Sequence, residues 1–473
     1  MPCVKSPIFL PPSLSSSVLS VCSVMASTRN SRPPVDLIAR ISDCLRQFVR
    51  GSDRLVAALS GGVDSVLLLH ILLRLSGRHG FHLSALHVNH GISPNSDRWQ
   101  AFCEQLCEAW GIRLDVKKVV VERDGDEGLE GAARRARYKA FAEEDAEWLV
   151  LAHHRDDQAE TLLFNLLRGA GVGGAAAMPV VRPFATRQGT GILRPFLNTS
   201  RKEIVDYARA EDLAWIEDES NVDSRYARNF LRHRIFPLLR ERFPGCDAVM
   251  ARAAAHFSES EHLLEELARS DAAMVMREGR IIASRLARLD GARARNLLRY
   301  VLRSEGILQP DSVRLHEIVR QVCRAAPDRH LSFDLGGKVL YRYRDEVWLI
   351  PRAETGSDTV WRGEARLKWG AAVLHFKTLA GAGISREKLV SNCVRISLRR
   401  GGERFQTDSR RPRRELKKLL QEHAVPPWER SKMPLLWCGD NLVWVPGIGI
   451  DCAWQCAPGE PGIMPELEDL PSA

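Results

Sequence analysis

From about residue 36 to residue 215, short apolar runs alternate with segments whose apolar positions repeat at helical spacing. Residues 55–59, 81–88, 114–121 and 148–152 read as strands. Residues 65–75, 97–110, about 130–144 and 157–168 read as helices. This strand–helix rhythm predicts an α/β domain: a parallel sheet with helices on both faces. In such sheets ligands bind at the carboxyl ends of the strands. Residues 192–196 predict a last, edge-like strand, because Pro195 is poorly tolerated in a central one. Ser200 and Glu203 then form a capping-box signature for a helix running to about Ala210.

The pattern changes further on. Residues 246–325 keep a helical period, with Leu263, Leu264 and Leu267 and then Leu297, Leu298, Val301 and Leu302. Residues 331–350 alternate as strands, with Gly336 and Gly337 at the turn. Residues 360–460 mix short strands, Pro/Gly turns and one basic helix. Four segments result: an extension over 1–34, a catalytic α/β domain over 35–245, a mainly helical middle domain over 246–355, and a small basic α+β domain over 356–473. The extension is rich in Ser and Pro and has no Asp or Glu, so it lacks a core pattern. A targeting peptide and a start at Met25 are its two other readings.

Composition narrows the class. Across 473 residues, 45% are hydrophobic and 27% charged, which excludes a wholly disordered or collagen-like chain. No uninterrupted apolar stretch is long enough to predict a membrane span. The 11 cysteines include no CxxC pair, so they read as reduced thiols of a cytoplasmic protein rather than as a zinc or dithiol site. The net charge of +9 favours a polyanionic partner. Ten basic and three acidic residues between 395 and 418 supply +7 of charge. There Val394, Ile396 and Leu398 alternate with Arg395, Ser397 and Arg399, which predicts a strand with a basic outer face suited to phosphate contact.

The chemistry concentrates at the predicted strand ends. Ser60, Gly61, Gly62, Val63, Asp64 and Ser65 join the first strand to its helix. Glycines allow a sharp turn and close backbone approach, and the N–H groups opening a helix bind anions. Asp64 would repel a phosphate unless a divalent cation lies between them, so the loop implies Mg²⁺. The lysine of a Walker A loop is absent. His87, Asn89 and His90 end the second strand and are candidates to line a nucleotide pocket. Arg134 and Arg137 share one face of the third crossover helix. After the fourth strand, His153, His154, Asp156, Asp157 and Glu160 open a helix, with Asp157 and Glu160 on one face; Asp157 is the candidate to act with Asp64 on Mg²⁺. An acidic turn over 217–221 precedes an Arg-rich segment in which Arg228, Arg232 and His233 can face phosphates.

The Ser-Gly-Gly-Val-Asp-Ser loop resembles that of the PP-loop, or N-type, ATP pyrophosphatases. The order of motifs, dense over 50–245, resembles the tRNA(Ile)-lysidine synthetases within that superfamily. It runs from SGGVDS through HVNHG, GLEGAARRARY, AHHRDDQAET and WIEDESN to RNFLRHR. Residues 399–405, 417–420, 425–428 and 434–436 resemble the C-terminal domain of the longer, three-domain form. The resemblance implies that ATP adenylates carbon 2 of the wobble cytidine in an isoleucine tRNA with a CAU anticodon. Free L-lysine then displaces AMP, giving lysidine. It implies that Ser60 to Ser65 bind the ATP phosphates, that Asp64 and Asp157 hold Mg²⁺, and that Arg228 or Arg232 supports the transition state or places a tRNA phosphate. Glu130, Asp156 and Glu160 are equal candidates for the lysine ammonium. No protein partner is called for, and a homodimer is compatible with these residues. A tRNA thiolase would be expected to carry CxxC cysteines; a small-molecule adenylating synthetase would not need the basic C-terminal part; and an RNA-binding module would not need Asp64 and Asp157.

Overall fold

The computed structural model describes residues 36–121, 129–183, 189–217, 227–326, 329, 331–352, 354–390 and 392–469. The predicted extension over 1–34 lies outside the described residues, as do Gly128, residues 218–221 of the acidic turn, and the side chain of Glu130. The chain forms two compact units, one ending at Glu261 and one beginning at His262.

The first unit opens with α1 (Asp36–Phe48), β1 (Arg54–Ala58), α2 (Val63–His79), β2 (His82–Asn89), α3 (Ser96–Trp110) and β3 (Arg113–Lys118). It continues with α4 (Leu129–Phe141), β4 (Trp148–Val150), α5 (Arg155–Leu167), α6 (Val172–Ala175), β5 (Val181–Pro183), β6 (Gly191–Leu193) and α7 (Arg201–Ala210). The strands order as β3-β2-β1-β4-β6-β5. Every neighbouring pair is parallel except β5 with β6. Period-2 alternation in β1 divides the core. Leu55 and Ala57 pack with α1, α2 and α7 on one face, and Val56 packs with Leu86, Leu149, Ile192 and Phe141 of α4 on the other. The middle of α2, from Val66 to Leu75, is mostly apolar because it is buried almost all round, with Val66, Leu67, Leu68, Leu69, Ile71 and Leu72 at 1% exposure or less.

One expectation is corrected here. The strand around Ile192 is internal, between β4 and β5; it stops at Leu193, so Pro195 never enters the ladder. The edge is the antiparallel β5, which Pro183 ends. The capping box at Ser200 and Glu203 forms as expected.

Beyond α7, α8 (Ala227–Phe230) runs into a π turn (Leu231–Ile235) and α9 (Phe236–Arg242). Pro237 explains the π turn: it has no N–H, and its ring would clash with the carbonyl of His233 in a regular helix. The Phe236 N–H reaches back to the Leu231 carbonyl instead. Helix α10 (Cys246–Val275) follows.

In the second unit come β7 (Met276–Arg277), β8 (Arg280–Ile282), α11 (Ala283–Leu286), α12 (Gly291–Ser304), α13 (Ser312–Arg324), β9 (Leu331–Asp334), β10 (Lys338–Tyr343) and β11 (Glu346–Pro351). The helices pack on a sheet ordered β7-β8-β11-β10-β9 through Leu297, Leu302, Leu315, Ile318 and Leu340. The remainder holds β12 (Thr359–Trp361), β13 (Arg366–Trp369), β14 (Ala372–Ala380), β15 (Ile384–Ser385), α14 (Arg386–Val390), β16 (Val394–Ser397), β17 (Arg404–Phe405) and β18 (Arg414–Glu415). It closes with α15 (Leu416–Glu422), α16 (Pro427–Arg430), β19 (Leu435–Cys438), β20 (Asn441–Val445), β21 (Gly449–Ile450) and β22 (Pro461–Asp469). Two mixed-order antiparallel sheets result, β12-β16-β19-β20-β21 and β13-β14-β22-β15. β16 turns Val394 and Ile396 into the core and carries Arg395 and Ser397 on the other face, where they line a pocket with Arg400, Arg404 and Arg413; Ser397 is buried there and Arg395 half-buried.

Candidate active site

A cleft of about 820 Å³ opens at the carboxyl ends of β1, β2 and β4. Ser60, Asp64, Ser65, His87, Asn89, His90, Arg134, Arg137, Tyr138, His153 and Asn229 line it. Strand ends gather there because each parallel strand hands its chain to a helix at the same edge of the sheet.

The loop from Ser60 to Ser65 is built from its own side chains. The Ser65 hydroxyl donates to the Gly62 carbonyl at 2.9 Å and accepts from the Ser60 N–H at 3.2 Å. Gly61 has φ +87°, the left-handed region, and a Cβ there would lie 3.0 Å from the Ile216 side chain. The Ile216 N–H in turn donates to the Gly61 carbonyl at 2.9 Å. No side chain caps α2, which begins at Val63 behind Gly62. The first-turn N–H groups of a helix have no intrahelical acceptor, and an uncapped start of this kind is chemically suited to an anion.

Asp64 sits in that first turn. Its Oδ1 is buried without a hydrogen bond, and the His154 ring Nε2 lies 3.8 Å away. Burial pushes its carboxyl above the usual range, offset in part by His154. A partnerless carboxylate oxygen beside an uncapped helix start is a donor that would suit a divalent cation, which would supply charge neutralisation for phosphate there.

Asp157 is more occupied. It is the third residue of α5, and its Oδ2 accepts the His154 N–H at 3.0 Å while the His154 ring accepts the Asp157 N–H, a capping box. Its Oδ1 accepts from Arg232 at 2.8 Å. Burial would raise its carboxyl, but His154, Arg228, His153 and Arg232 outweigh that and hold it at about 2. Arg232 also grips Glu160, which is 1% exposed, through Nε and Nη2 at 2.7 Å each. Arg228 donates to the Thr161 hydroxyl at 3.0 Å and lies 3.6 Å from Glu160. The spacing of Asp157 and Glu160 does put both on one face, and what they meet there is Arg232. The capping role was readable as a His three residues before an Asp at a helix start.

The other candidates divide. Asn89 is consumed locally, donating to Asp97 and Gln100 and accepting from the Gly91 N–H. The His87 ring bonds the Leu59 carbonyl at 2.9 Å. His90 meets Arg137 at 3.3 Å, and burial plus Arg137 push its imidazole down to about 4. Burial drives His153 down to about 3, against the pull of Asp157, so both rings are neutral at pH 7. Asp156 accepts from the Arg201 N–H and from Arg240, tying α5 to α7 and α9. Asp156 and Glu160 are thus both engaged with arginines. The Ile216 clasp and the Arg137–His90 contact are site features that no spacing along the chain announces.

Three family models match the chain: a PP-loop domain over residues 35–239, a TilS substrate binding domain over 283–348, and a TilS substrate C-terminal domain over 394–467. The tRNA(Ile)-lysidine synthase of Nitrosomonas europaea is 45% identical over 433 residues, covering 90% of this chain and 94% of that protein. The tRNA(Ile)-lysidine synthase of Aromatoleum aromaticum is 44% identical, covering 87% and 96%. Among solved structures, the U34-tRNA thiolase NcsA from Methanococcus maripaludis with its [4Fe-4S] cluster aligns at a TM-score of 0.40 and 17% identity, over 47% of this chain and 78% of that one. With identity of that order sustained over nine-tenths of its length, and with its phosphate loop, middle region and C-terminal region all matched, the chain belongs to the tRNA(Ile)-lysidine synthase family.

Proposed function

We propose that this chain ligates free L-lysine to carbon 2 of the wobble cytidine of the CAU-anticodon isoleucine tRNA, through an adenylated tRNA intermediate, in the cleft at the carboxyl edge of the first sheet. As a PP-loop enzyme of this family it uses ATP and forms lysidine in tRNA(Ile). The observation that carries the residue assignments is the uncapped start of α2 with the partnerless Asp64 oxygen beside it.

In this reading the backbone from Ser60 to Ser65 holds the ATP phosphates, and the Ser60 and Ser65 hydroxyls keep the loop in shape. Asp64 and Asp157 are the carboxylates for Mg²⁺, which when bound neutralises charge developing on the leaving pyrophosphate. Asp64 is the primary ligand, and Asp157 becomes available as Arg232 releases its Oδ1. Arg232 and Arg228 then carry positive charge toward the phosphate under attack or a tRNA phosphate. The uncharged His90 and His153 leave the cleft with less positive charge to repel an incoming ammonium. The lysine amine attacks carbon 2 and AMP leaves, so no side-chain nucleophile is needed. The basic region over 356–473 docks tRNA, and the boundaries at 245/246 and 355/356 separate the three functional segments. No described helix is long and apolar enough to cross a membrane.

Incubation with ATP, labelled lysine and bulk tRNA tests the reading. Label must enter one isoleucine tRNA, and only with ATP and Mg²⁺ present. Label that never enters tRNA, or enters without ATP, refutes it.

A further inference from the structure

The sheet of the middle region has an inner and an outer face. Leu340 and Val347 point inward, at 0% and 6% exposure, into the core beneath α12 and α13. Tyr341, Tyr343 and Trp348 occupy alternate positions and so share the outer face; Tyr341 and Trp348 are direct cross-strand partners. Three neighbouring aromatic side chains on an outer face would be a large apolar patch if left bare.

Trp428 covers them. It comes from α16, about 80 residues further along the chain, and is 5% exposed. Its ring centroid lies 5.0 Å from Tyr341, 5.9 Å from Tyr343 and 5.1 Å from Trp348, the Tyr343 contact being edge-to-face. Arg280 caps the assembly, its guanidinium carbon 3.6 Å from the Trp348 ring centre. Trp428 belongs to neither apolar core of the C-terminal sheets. Its backbone is nonetheless well anchored to them. Pro426 and Pro427 start α16, the Arg430 Nε–H donates to the Val425 carbonyl at 2.6 Å, and the Trp369 ring N–H donates to the Lys432 carbonyl at 2.9 Å. The C-terminal mount therefore presents the Trp428 ring to the sheet of the middle region, with Arg430 beside it meeting Tyr343.

We propose that Trp428 is the joint that makes the middle and C-terminal regions one tRNA-gripping body, and so acts as a positioning residue for substrate capture. This rests on the reading that the C-terminal region docks tRNA, extended to the middle region by its match to a TilS substrate binding domain. A tRNA is a stiff polyanion. Two docking surfaces at a set spacing engage it without paying to order one against the other, and two loosely tethered surfaces pay that cost on every binding event. Trp428 touches no reacting atom, so its effect falls on capture and not on chemistry.

The test uses the full chain with W428A, W428F and Y341A. In W428A the KM for tRNA rises roughly tenfold while kcat at saturating tRNA holds. W428F recovers most of that loss. Y341A, which attacks the joint from the other side, reproduces it, and the W428A/Y341A double variant is no worse than W428A. Without any tRNA, small-angle scattering shows a larger radius of gyration for W428A at unchanged helix and strand content. An unmoved tRNA KM in a folded W428A, a loss confined to kcat, or an unchanged scattering curve overturns the joint. Because scattering needs no substrate, it decides on the joint even if lysine transfer fails in the parent protein, an outcome that would instead overturn the functional reading.

Discussion

The cleft and the basic C-terminal stretch both looked, as strings of residues, like reservoirs of free positive charge. They differ in where the charge sits. In the cleft, Arg232 is locked against Asp157 and a Glu160 that is 1% exposed, so its charge is internally balanced until another charge arrives to compete. In the stretch over 395–418, balance is piecemeal. Arg413 pairs at 2.9 Å with Asp451, which is 0% exposed, while Arg414 pairs with Glu422 and Arg400 with Asp358. Arg410 and Arg411 sit exposed at the tip between β17 and β18. Gln406 braces that tip by donating to the Arg411 carbonyl at 2.6 Å. Charge count predicts a polyanion partner, and burial decides which of the charges can reach one.

Asp64→Asn tests the cleft side and has the largest expected effect. Adenylation should fall roughly 10²–10³-fold, by analogy with losing one well-placed electrostatic contact, while tRNA affinity persists. Radiolabelled ATP turnover with tRNA measures the first and filter binding the second. Parent-like turnover would remove Asp64 from the chemistry.

The C-terminal side separates by burial. Arg413→Ala leaves the Asp451 carboxylate, among the described residues, with the Gln406 and Ala453 N–H groups as donors and no cation. About 2 kcal/mol of stability should go with it, short of the full cost of stripping a buried pair because Arg413 is itself partly exposed. Arg410→Ala with Arg411→Ala should move stability by no more than about 0.5 kcal/mol. That pair should flatten the log–log salt slope of tRNA binding by about 1.5, at roughly 0.7–0.9 per lost phosphate contact. Urea melts and salt titrations of tRNA affinity check the two halves, and equal stability losses in all three positions would erase the distinction.

The last test on the cleft side is pH dependence. His153 and His90 titrate at about 3 and about 4 when folded, against 6.5 when unfolded. Below 6.5 the unfolded chain binds more protons, so stability is complete above that pH and declines as pH drops from about 6.5 to 4. The slope is bounded by about 1.4 kcal/mol per pH unit for each ring. His153→Gln should shallow the decline in thermal melts between pH 4.5 and 7. A decline as steep as the parent's would assign it to other groups.

The local chemistry was legible along the chain wherever it depended on near neighbours. The strand–helix alternation, the glycines before α2, the Ser200–Glu203 cap and the shared face of Asp157 and Glu160 all follow from spacings of one to five residues, over which backbone geometry dictates what meets what. Strand order could not be read that way. The short apolar run at Ile192 marks β6 as a strand but not as an internal one, since pairing with β4 and β5 joins residues far apart in the chain. The short β7 and β8 carry too few residues for a period to show. Partners of long side chains were equally hidden. Arg232 finds Glu160 72 residues away, Arg413 finds Asp451, and Trp428 finds Tyr341. Local sequence therefore determined the elements and the kinds of chemistry they can carry. Only tertiary packing decided which charges stay available and which aromatic rings become a joint, because both depend on excluding water from groups that the chain brings together from a distance.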